Sequence, residues 1–100
     1  MKLGILVNTA RHQEAVKGIA EAAVAQGHEI IIFAMDEGTK LLENKQFTDL
    51  HKMAGVELSF CDHSAHEYAV NTAALPKNIT AGSQFNNATM NKQADKVIVL

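Results

Sequence analysis

Short apolar segments, separated by stretches with helical spacing, constrain the fold of this chain most. The longest uninterrupted apolar run covers residues 30–35 (IIIFAM). A continuous run of this length is typical of a strand that is buried on both faces, as in parallel sheets. The sequence therefore predicts five strands, over residues 2–7, 29–35, 56–61, 79–81 and 96–100.

The segments between these strands carry apolar residues at helical spacing. The first of them ends before Gly27, and glycine is the usual residue just beyond a helix. Ser64 and Glu67 have the spacing of a capping box, which predicts a helix that begins at Ser64. The predicted helices cover residues 11–25, capped by Asn8 or Thr9; 39–53, with a weak region at 44–46; 64–71; and 84–93, capped by Ser83. A turn is predicted at residues 36–38.

Strands that alternate with helices need crossover connections, which produce a parallel sheet with helices on both faces. The length of 100 residues corresponds to one domain, and an apolar content of 47% supplies a core. We therefore predict a single α/β domain over residues 1–100, built on a five-stranded parallel sheet.

Charge and cysteine content exclude several classes of protein. The chain has 9 Lys and Arg residues against 11 Asp and Glu, so it has no basic excess for binding a nucleic-acid backbone. The single cysteine, Cys61, forms neither an internal disulfide nor a multi-cysteine zinc site. We find neither a signal peptide nor an apolar run long enough to span a membrane, and we expect a cytoplasmic protein.

In parallel sheets, ligands bind beyond the carboxyl ends of the strands. The first strand is followed by residues 8–12 (NTARH), which contain no glycine. This excludes a dinucleotide fingerprint and a Walker loop, since both need glycines for close approach to phosphates. Asn8, Thr9 and Asp36 remain candidates for contacts with a small ligand. Helix capping for the first two and a turn for Asp36 are the simpler interpretations.

Cys61 is the most informative candidate, because it ends a predicted strand three residues before a predicted helix start. Free N–H groups at a helix start stabilise a thiolate, and His63 and His66 support it if they are protonated. The carboxylate of Asp62 opposes ionisation of the thiol. The alternative is a passive Cys61 that packs as a small buried hydrophobe.

Cys61, His63 and His66 also have the spacing of a metal half-site, and thiolate and imidazole suit zinc or copper. A closed structural site needs a fourth ligand, which would have to come from His12, Asp36 or another subunit. We therefore expect neither a metal nor a cofactor, with the two histidines solvated or capping.

Four segments of the sequence resemble a known family. They are MKLGILV at the start, GHEIIIF at the second strand, GVELSFC at the third and ADKVIVL at the last. Together they are similar to the DsrE/DsrF-like sulfur-relay family, and the resemblance spans essentially the whole chain.

The resemblance implies a three-layer α/β/α sandwich around a five-stranded parallel sheet. Members form trimers or hexamers, alone or with related subunits. Active members carry sulfane sulfur as a persulfide on the cysteine after the third strand, which corresponds to Cys61. Such relays feed tRNA thiolation or sulfur oxidation, whereas some members lack the cysteine and serve only as scaffolds.

The main hypothesis is therefore a sulfur-transfer protein that exchanges sulfur with donor and acceptor proteins through Cys61, without a cofactor. His63 and Ser64 are expected to support the thiolate. The alternative is a non-catalytic oligomeric binding or scaffold module, with a metal or small ligand near Cys61, His63 and His66. Four apolar side chains are candidates for a homo-oligomer contact: Leu41, Leu42, Phe47 and Tyr68.

Overall fold

The computed structural model describes residues 1–100 and contains one five-stranded sheet with the strand order β4-β3-β2-β1-β5. The strands are β1 (Lys2–Val7), β2 (Glu29–Ala34), β3 (Val56–Cys61), β4 (Thr80–Gly82) and β5 (Lys96–Val99). The helices are α1 (Gln13–Ala25), α2 (Lys45–Thr48), α3 (Asp62–Glu67) and α4 (Gln84–Gln93). Two 3₁₀ segments cover Asp36–Glu43 and Asp49–Lys52. None of the helices has the length and apolar character needed to cross a bilayer.

All neighbouring strands are parallel, which confirms the predicted α/β fold. Ile5 at the middle of β1 pairs with Ile32 of β2 on one side and with Ile98 of β5 on the other. Aliphatic and β-branched residues of this kind favour a pleated surface that is buried on both faces. Because the strands run the same way, their carboxyl ends meet at one edge of the sheet.

The two faces of the sheet are covered unequally. The larger core contains 16 buried residues and includes Val16 and Ala20 of α1 and Ala65 of α3. The 3₁₀ segments and α2 add Leu41, Leu42, Phe47 and Leu50 to the same core. The smaller core consists of Ile31, Phe33, Cys61 and Met90, and α4 is the helix that packs on it. The three layers are therefore present, but one outer layer is a single helix.

The predicted capping of α1 by Asn8 or Thr9 is wrong. The helix begins at Gln13 and follows His12, whose side chain makes no capping hydrogen bond. The intervening loop is instead held across the sheet edge, where the Ala10 N–H donates to Glu37 Oε1 at 3.0 Å. This long-range contact leaves residues 8–12 outside the helix.

The predicted start of α3 at Ser64 is also wrong, because the helix begins at Asp62 directly after β3. Ser64 is therefore the third residue of the helix rather than its cap. The helix ends at Glu67 instead of about residue 71. Ala69 has a left-handed φ of 53°, and the Val70 N–H donates to the Ala65 carbonyl at 2.9 Å, which closes the helix.

The weak helical pattern over residues 39–53 corresponds to three short pieces, and the predicted interruption near residue 44 is confirmed. Asn44 starts α2, since its side chain accepts a hydrogen bond from the Gln46 N–H at 3.0 Å. Phe47 of α2 is completely buried in the larger core together with Leu41 and Leu42. These three side chains are therefore unavailable for a contact between subunits.

Candidate functional site

Cys61 is the last residue of β3 and immediately precedes α3. Side chains alternate along a strand, so Phe60 points into the larger core while Cys61 points toward α4. Cys61 packs with Phe33 and Met90 and is only 4% exposed. Its Cα pairs in register with that of Gly82, the last residue of β4. The sulfur therefore lies at the carboxyl edge of the sheet, where the chain of β4 turns into α4.

The surroundings of Cys61 favour its thiolate. Burial raises the pKa of the Cys61 thiol, but hydrogen bonds to the sulfur outweigh this effect and hold the pKa below its usual value of 9.0. The donors are the Ser64 hydroxyl, the Ser64 backbone N–H, the Gln84 side chain and the His63 backbone N–H. All of these donors are neutral, so the stabilisation comes from hydrogen bonds rather than from a charged partner.

The early start of α3 explains two of these donors. Residues 62–65 occupy the first turn, where backbone N–H groups have no acceptor within the helix. The Ser64 N–H and the His63 N–H are thus free to donate to the sulfur. The Ser64 side chain is 4% exposed and adds its hydroxyl. The sequence predicts Ser64 as a supporting residue, but that prediction assumed that Ser64 caps α3, which it does not.

The imidazole of His63 does not support the Cys61 thiolate in the way that the sequence predicts. Its side chain is 83% exposed, and Nε2 lies 3.4 Å from Glu67 Oε1. The His66 side chain is 82% exposed, with Nε2 at 3.8 Å from Asp62 Oδ2. The helix thus pairs both histidines with its own carboxylates at the surface, because each pair is four residues apart.

The side chains do not assemble the metal half-site that the spacing suggested. No group of three or more His, Cys, Asp or Glu side chains comes together in a way that could hold a metal ion. The half-site needed Cys61 and His63 to point to the same side of an extended chain. The helix that begins at Asp62 separates them, since Cys61 is buried and His63 is exposed.

Gln84 and Met35 are site residues that sequence reasoning missed. Gln84 is the first residue of α4, and its Nε2 donates to Met35 Sδ at 3.8 Å. A hydrogen bond from the same side chain helps to lower the pKa of the Cys61 thiol. The available signal was that residues 82–85 and 35–38 follow strands and therefore belong to the same sheet edge. Nothing in the sequence indicated which side chains at that edge would touch Cys61.

The close approach of α4 to β4 places Gln84 near the end of β3, because Gly82, two residues before it, pairs with Cys61. Ser83 caps the helix, because its hydroxyl accepts from the Phe85 N–H at 3.2 Å and the Asn86 side chain accepts from the Ser83 N–H at 2.9 Å. This confirms the predicted cap. A Cβ at position 82 would collide with the amide of Asn86. Glycine at this position therefore allows the turn that brings Gln84 against the sheet.

The candidate ligand contacts Asn8, Thr9 and Asp36 follow β1 and β2 at the same edge of the sheet. The Thr9 hydroxyl donates to the Leu100 carbonyl at 3.4 Å and accepts from the Arg11 N–H. The Asp36 carbonyl accepts from the Thr39 hydroxyl at 2.8 Å. None of the four cavities of the molecule is lined by Asn8, Thr9 or Asp36. Ligand binding by them stays a prediction.

A sequence model of the DsrE/DsrF-like family matches residues 1–100. The chain belongs to the DsrE/DsrF-like family. Membership supports, in broad terms, a role related to sulfur relay. No curated protein shows significant sequence similarity to this chain.

Solved structures share the fold of this DsrE/DsrF-like chain. The YchN protein from E. coli has a TM-score of 0.70 at 14% identity, covering 99% of this chain and 97% of that one. The protein of unknown function BT1422 from Bacteroides thetaiotaomicron has a TM-score of 0.72 at 19% identity, with coverages of 99% and 94%. MTH1491 from Methanobacterium thermoautotrophicum, also of unknown function, has a TM-score of 0.68 at 11% identity, with coverages of 99% and 98%.

Proposed function

We propose that this chain is a persulfide carrier of a sulfur relay, with the sulfane sulfur bound to Cys61. The observation that carries the proposal is the set of neutral donors on the Cys61 sulfur, which lowers the pKa of a thiol that burial alone would raise. A lowered pKa is typical of reactive cysteines, whereas burial in purely apolar surroundings raises the pKa of a thiol. Membership of the DsrE/DsrF-like family supports the same interpretation.

The chemistry needs only the thiolate. The Cys61 thiolate attacks the outer sulfur of a protonated persulfide on a donor protein, a new S–S bond forms, and the donor leaves as a thiolate. The outer sulfur keeps its proton and is now bound to Cys61. In the second step a thiolate of the acceptor protein attacks that sulfur, and Cys61 leaves as a thiolate. No net oxidation takes place, so the step consumes neither an oxidant nor a cofactor.

Access to the sulfur depends on the rim of the site. Cys61 itself is 4% exposed, whereas Gln84, which helps to lower the pKa of the Cys61 thiol, is an exposed residue. Donor and acceptor proteins would therefore approach over the start of α4.

The second candidate function is a non-catalytic oligomeric binding or scaffold module. The observation in its favour is the burial of Cys61 among Ile31, Phe33 and Met90, which is how a passive cysteine packs. Sulfur loading separates the two functions, because only a carrier accepts sulfur on Cys61.

The test is the intact mass of the protein after incubation with glutathione persulfide. The wild type is expected to gain one sulfur atom per chain and to release it to an added small thiol. Cys61→Ser is the control and is expected to gain none, since Cys61 is the only cysteine. A folded wild type that reacts with iodoacetamide at Cys61 but never gains sulfur would remove the carrier function and favour the scaffold.

We also propose a cytoplasmic homo-oligomer, a trimer or hexamer, assembled through the face that α4 covers. Phe85 on α4 is 76% exposed and Val99 at the end of β5 is 59% exposed. Large exposed apolar side chains on the thinly covered face of a sheet are typical of a contact surface. The start of α4 and its Gln84 would then lie beside the subunit contact.

A further inference from the structure

We propose that Gln84, held in one orientation by a chain of amide groups along α4, presents its N–H donors to the sulfur that Cys61 carries. This inference rests on the proposed persulfide function and adds a residue to its machinery. Gln84 lies 23 positions after Cys61, so no local motif links the two residues.

The chain of amides has a single direction. The Asn91 Nδ2 donates to the Asn87 Oδ1 at 2.8 Å and to the Asn87 backbone carbonyl at 2.9 Å. The Asn87 Nδ2 in turn donates to the Gln84 Oε1 at 3.1 Å. An amide side chain has one accepting end and one donating end. Because Asn87 occupies the accepting end of Gln84, the donating end of Gln84 must face away from Asn87.

The donating end of Gln84 faces the sulfur of Met35, next to the cluster that contains Cys61. Its Nε2 lies 3.8 Å from Met35 Sδ, and Met35 packs at the margin of the cluster that contains Cys61. A thioether is a weak, neutral acceptor, so the N–H groups of Gln84 remain available for an anion. The reversed amide would place Gln84 Oε1 against sulfur lone pairs and its N–H groups against those of Asn87. The observed direction is thus the one that favours an anionic sulfur.

The position suits a stored sulfur atom. In a persulfide the outer sulfur lies about 2 Å from the Cys61 Sγ, the length of an S–S bond. The neighbourhood of the sulfur contains Ser64 and His63 on the α3 side and Gln84 on the α4 side. We assign Ser64 and His63 to the inner sulfur. Gln84, as the exposed member of the group, donates to the outer sulfur while Cys61 is loaded and to the thiolate when it is empty.

The same hydrogen bonds would also be present if the amide side chains of α4 had a different role. The amides could simply stabilise the exposed surface of α4, in which case the reactivity of Cys61 would not depend on them. The two roles differ in a measurable quantity, the rate at which iodoacetamide alkylates Cys61 as a function of pH. A donor to the thiolate changes the rate at neutral pH but not the limiting rate at strongly alkaline pH, where the thiol is fully ionised.

The experiment uses the Asn87→Asp variant, which keeps the shape of the side chain but removes the donor to Gln84. The Gln84 amide is then expected to turn over and present its oxygen to the sulfur. We expect alkylation at neutral pH to slow about threefold to tenfold, with the alkaline limit unchanged within about twofold. Gln84→Leu, at an exposed position, is also expected to slow the alkylation of Cys61 at neutral pH. Gln93→Ala removes an amide of α4 outside the chain and is expected to change neither rate.

The added charge of Asn87→Asp is controlled by a double variant. In a Gln84→Leu background, Asn87→Asp is expected to have no further effect, because the amide through which it acts is gone. A full effect in that background assigns the slowing to charge and overturns the proposal. Alkylation profiles of Asn87→Asp and Gln84→Leu that match the wild type also overturn it.

Sulfur loading distinguishes the failure of this inference from the failure of the carrier function. If the wild type gains sulfur and the Gln84→Leu variant gains and holds it equally well, Gln84 has no part and the carrier function stands. If the wild type gains none, the carrier function fails. A change in alkylation would then show only that Gln84 donates to the thiolate, and the assignment to a carried sulfur would be overturned.

Discussion

Gly38 lies directly against the carbonyl group of Val7, so that a Cβ at position 38 would collide with the Val7 oxygen. The same oxygen accepts the Met35 N–H at 2.9 Å. These contacts hold the first turn of the 3₁₀ segment Asp36–Glu43 against the end of β1. They also fix the backbone of Met35, whose sulfur contacts Gln84 beside Cys61.

Gly38→Ala is therefore expected to destabilise the protein. The added methyl group must push the 3₁₀ segment away from β1, and overpacking of this kind costs about 1–3 kcal/mol of the free energy of unfolding. Urea denaturation followed by circular dichroism measures the change.

Gly18→Ala is the matched control. Nothing lies within 4 Å of a Cβ at position 18, which is in the middle of α1. Alanine is the better helix former, so this variant is expected to gain about 0.5–1 kcal/mol. If Gly18→Ala lost as much stability as Gly38→Ala, close packing against Val7 would not be the cause of the destabilisation.

The lowered pKa of the Cys61 thiol predicts how stability depends on pH. The folded state binds the proton of this thiol more weakly than the unfolded state, whose pKa is near 9.0. The resulting stabilisation is complete above the unfolded pKa and is lost as the pH falls through the folded pKa. Compared with Cys61→Ala, the wild type is thus expected to gain stability as the pH rises toward 9.0. Urea denaturation of both proteins across this range is the measurement, and a difference that stays flat or shrinks contradicts it.

Ser64→Ala is expected to make Cys61 less reactive at neutral pH. It removes the hydroxyl that lowers the pKa of the thiol while leaving the backbone N–H in place. A hydrogen bond to a charged group is worth about 1.5–3 kcal/mol, so the alkylation rate at neutral pH is expected to fall about tenfold or more. Ser59→Ala, two residues before Cys61 on the same face of β3, is the control. Equal slowing in both variants would point to a general disturbance of β3.

The strands could be predicted from the sequence because their apolar runs are local signals. The run at residues 30–35 corresponds to β2, which lies between β1 and β3 in the sheet. The start of α3 could not be predicted in the same way. A serine followed by a glutamate three residues later fits a cap, yet here Ser64 is already inside a helix that continues directly from β3. The capping pattern contains no information on where the preceding strand ends.

The position of Cys61 at a sheet edge was predictable, but its partner Gln84 was not. The contact depends on the pairing of Cys61 with Gly82 and on the close packing of Asn86 over Gly82. The pairing is a tertiary relationship between residues that lie 21 positions apart in the chain, whereas the contact of Asn86 with Gly82 is local. The exposed state of His63 likewise follows from the start of α3. In an extended chain His63 would share a face with Cys61, whereas in a helix only residues three or four apart share a face.

Removal of metal is expected to leave the protein unchanged. His66 and His63 pair with Asp62 and Glu67 at the surface of α3 and do not converge on Cys61. The melting temperature in a strong chelator is therefore expected to equal that in buffer, and His66→Ala is expected to melt within a degree or two of the wild type, since exposed pairs contribute little. Stoichiometric zinc or copper in the purified protein, with a lower melting temperature on its removal, would overturn this and favour the binding module.

Phe85 is expected to hold the oligomer together. It is 76% exposed on α4, and the exposed Ala88 lies about one helical turn further along the same surface, so two apolar side chains face solvent in the single chain. Phe85→Lys is expected to convert a trimer or hexamer into a monomer of 10.8 kDa, measured by light scattering. Urea denaturation of the variant checks that the chain still folds, because the side chain is outside both cores.

Tyr68→Lys is the control for this prediction. Tyr68 lies just after α3 and is 40% exposed, and the Lys40 ammonium lies 5.4 Å from the centre of its ring. Helix α3 covers the opposite face of the sheet from α4. The variant is expected to keep the mass of the wild type. Dissociation by Tyr68→Lys but not by Phe85→Lys would move the subunit contact to the α3 face, and a wild type that is already monomeric at micromolar concentration would remove the contact altogether.

If Phe85→Lys is monomeric and still gains sulfur on Cys61, each chain carries a complete site; if sulfur loading is lost with assembly, the neighbouring subunit contributes to the site beside Gln84.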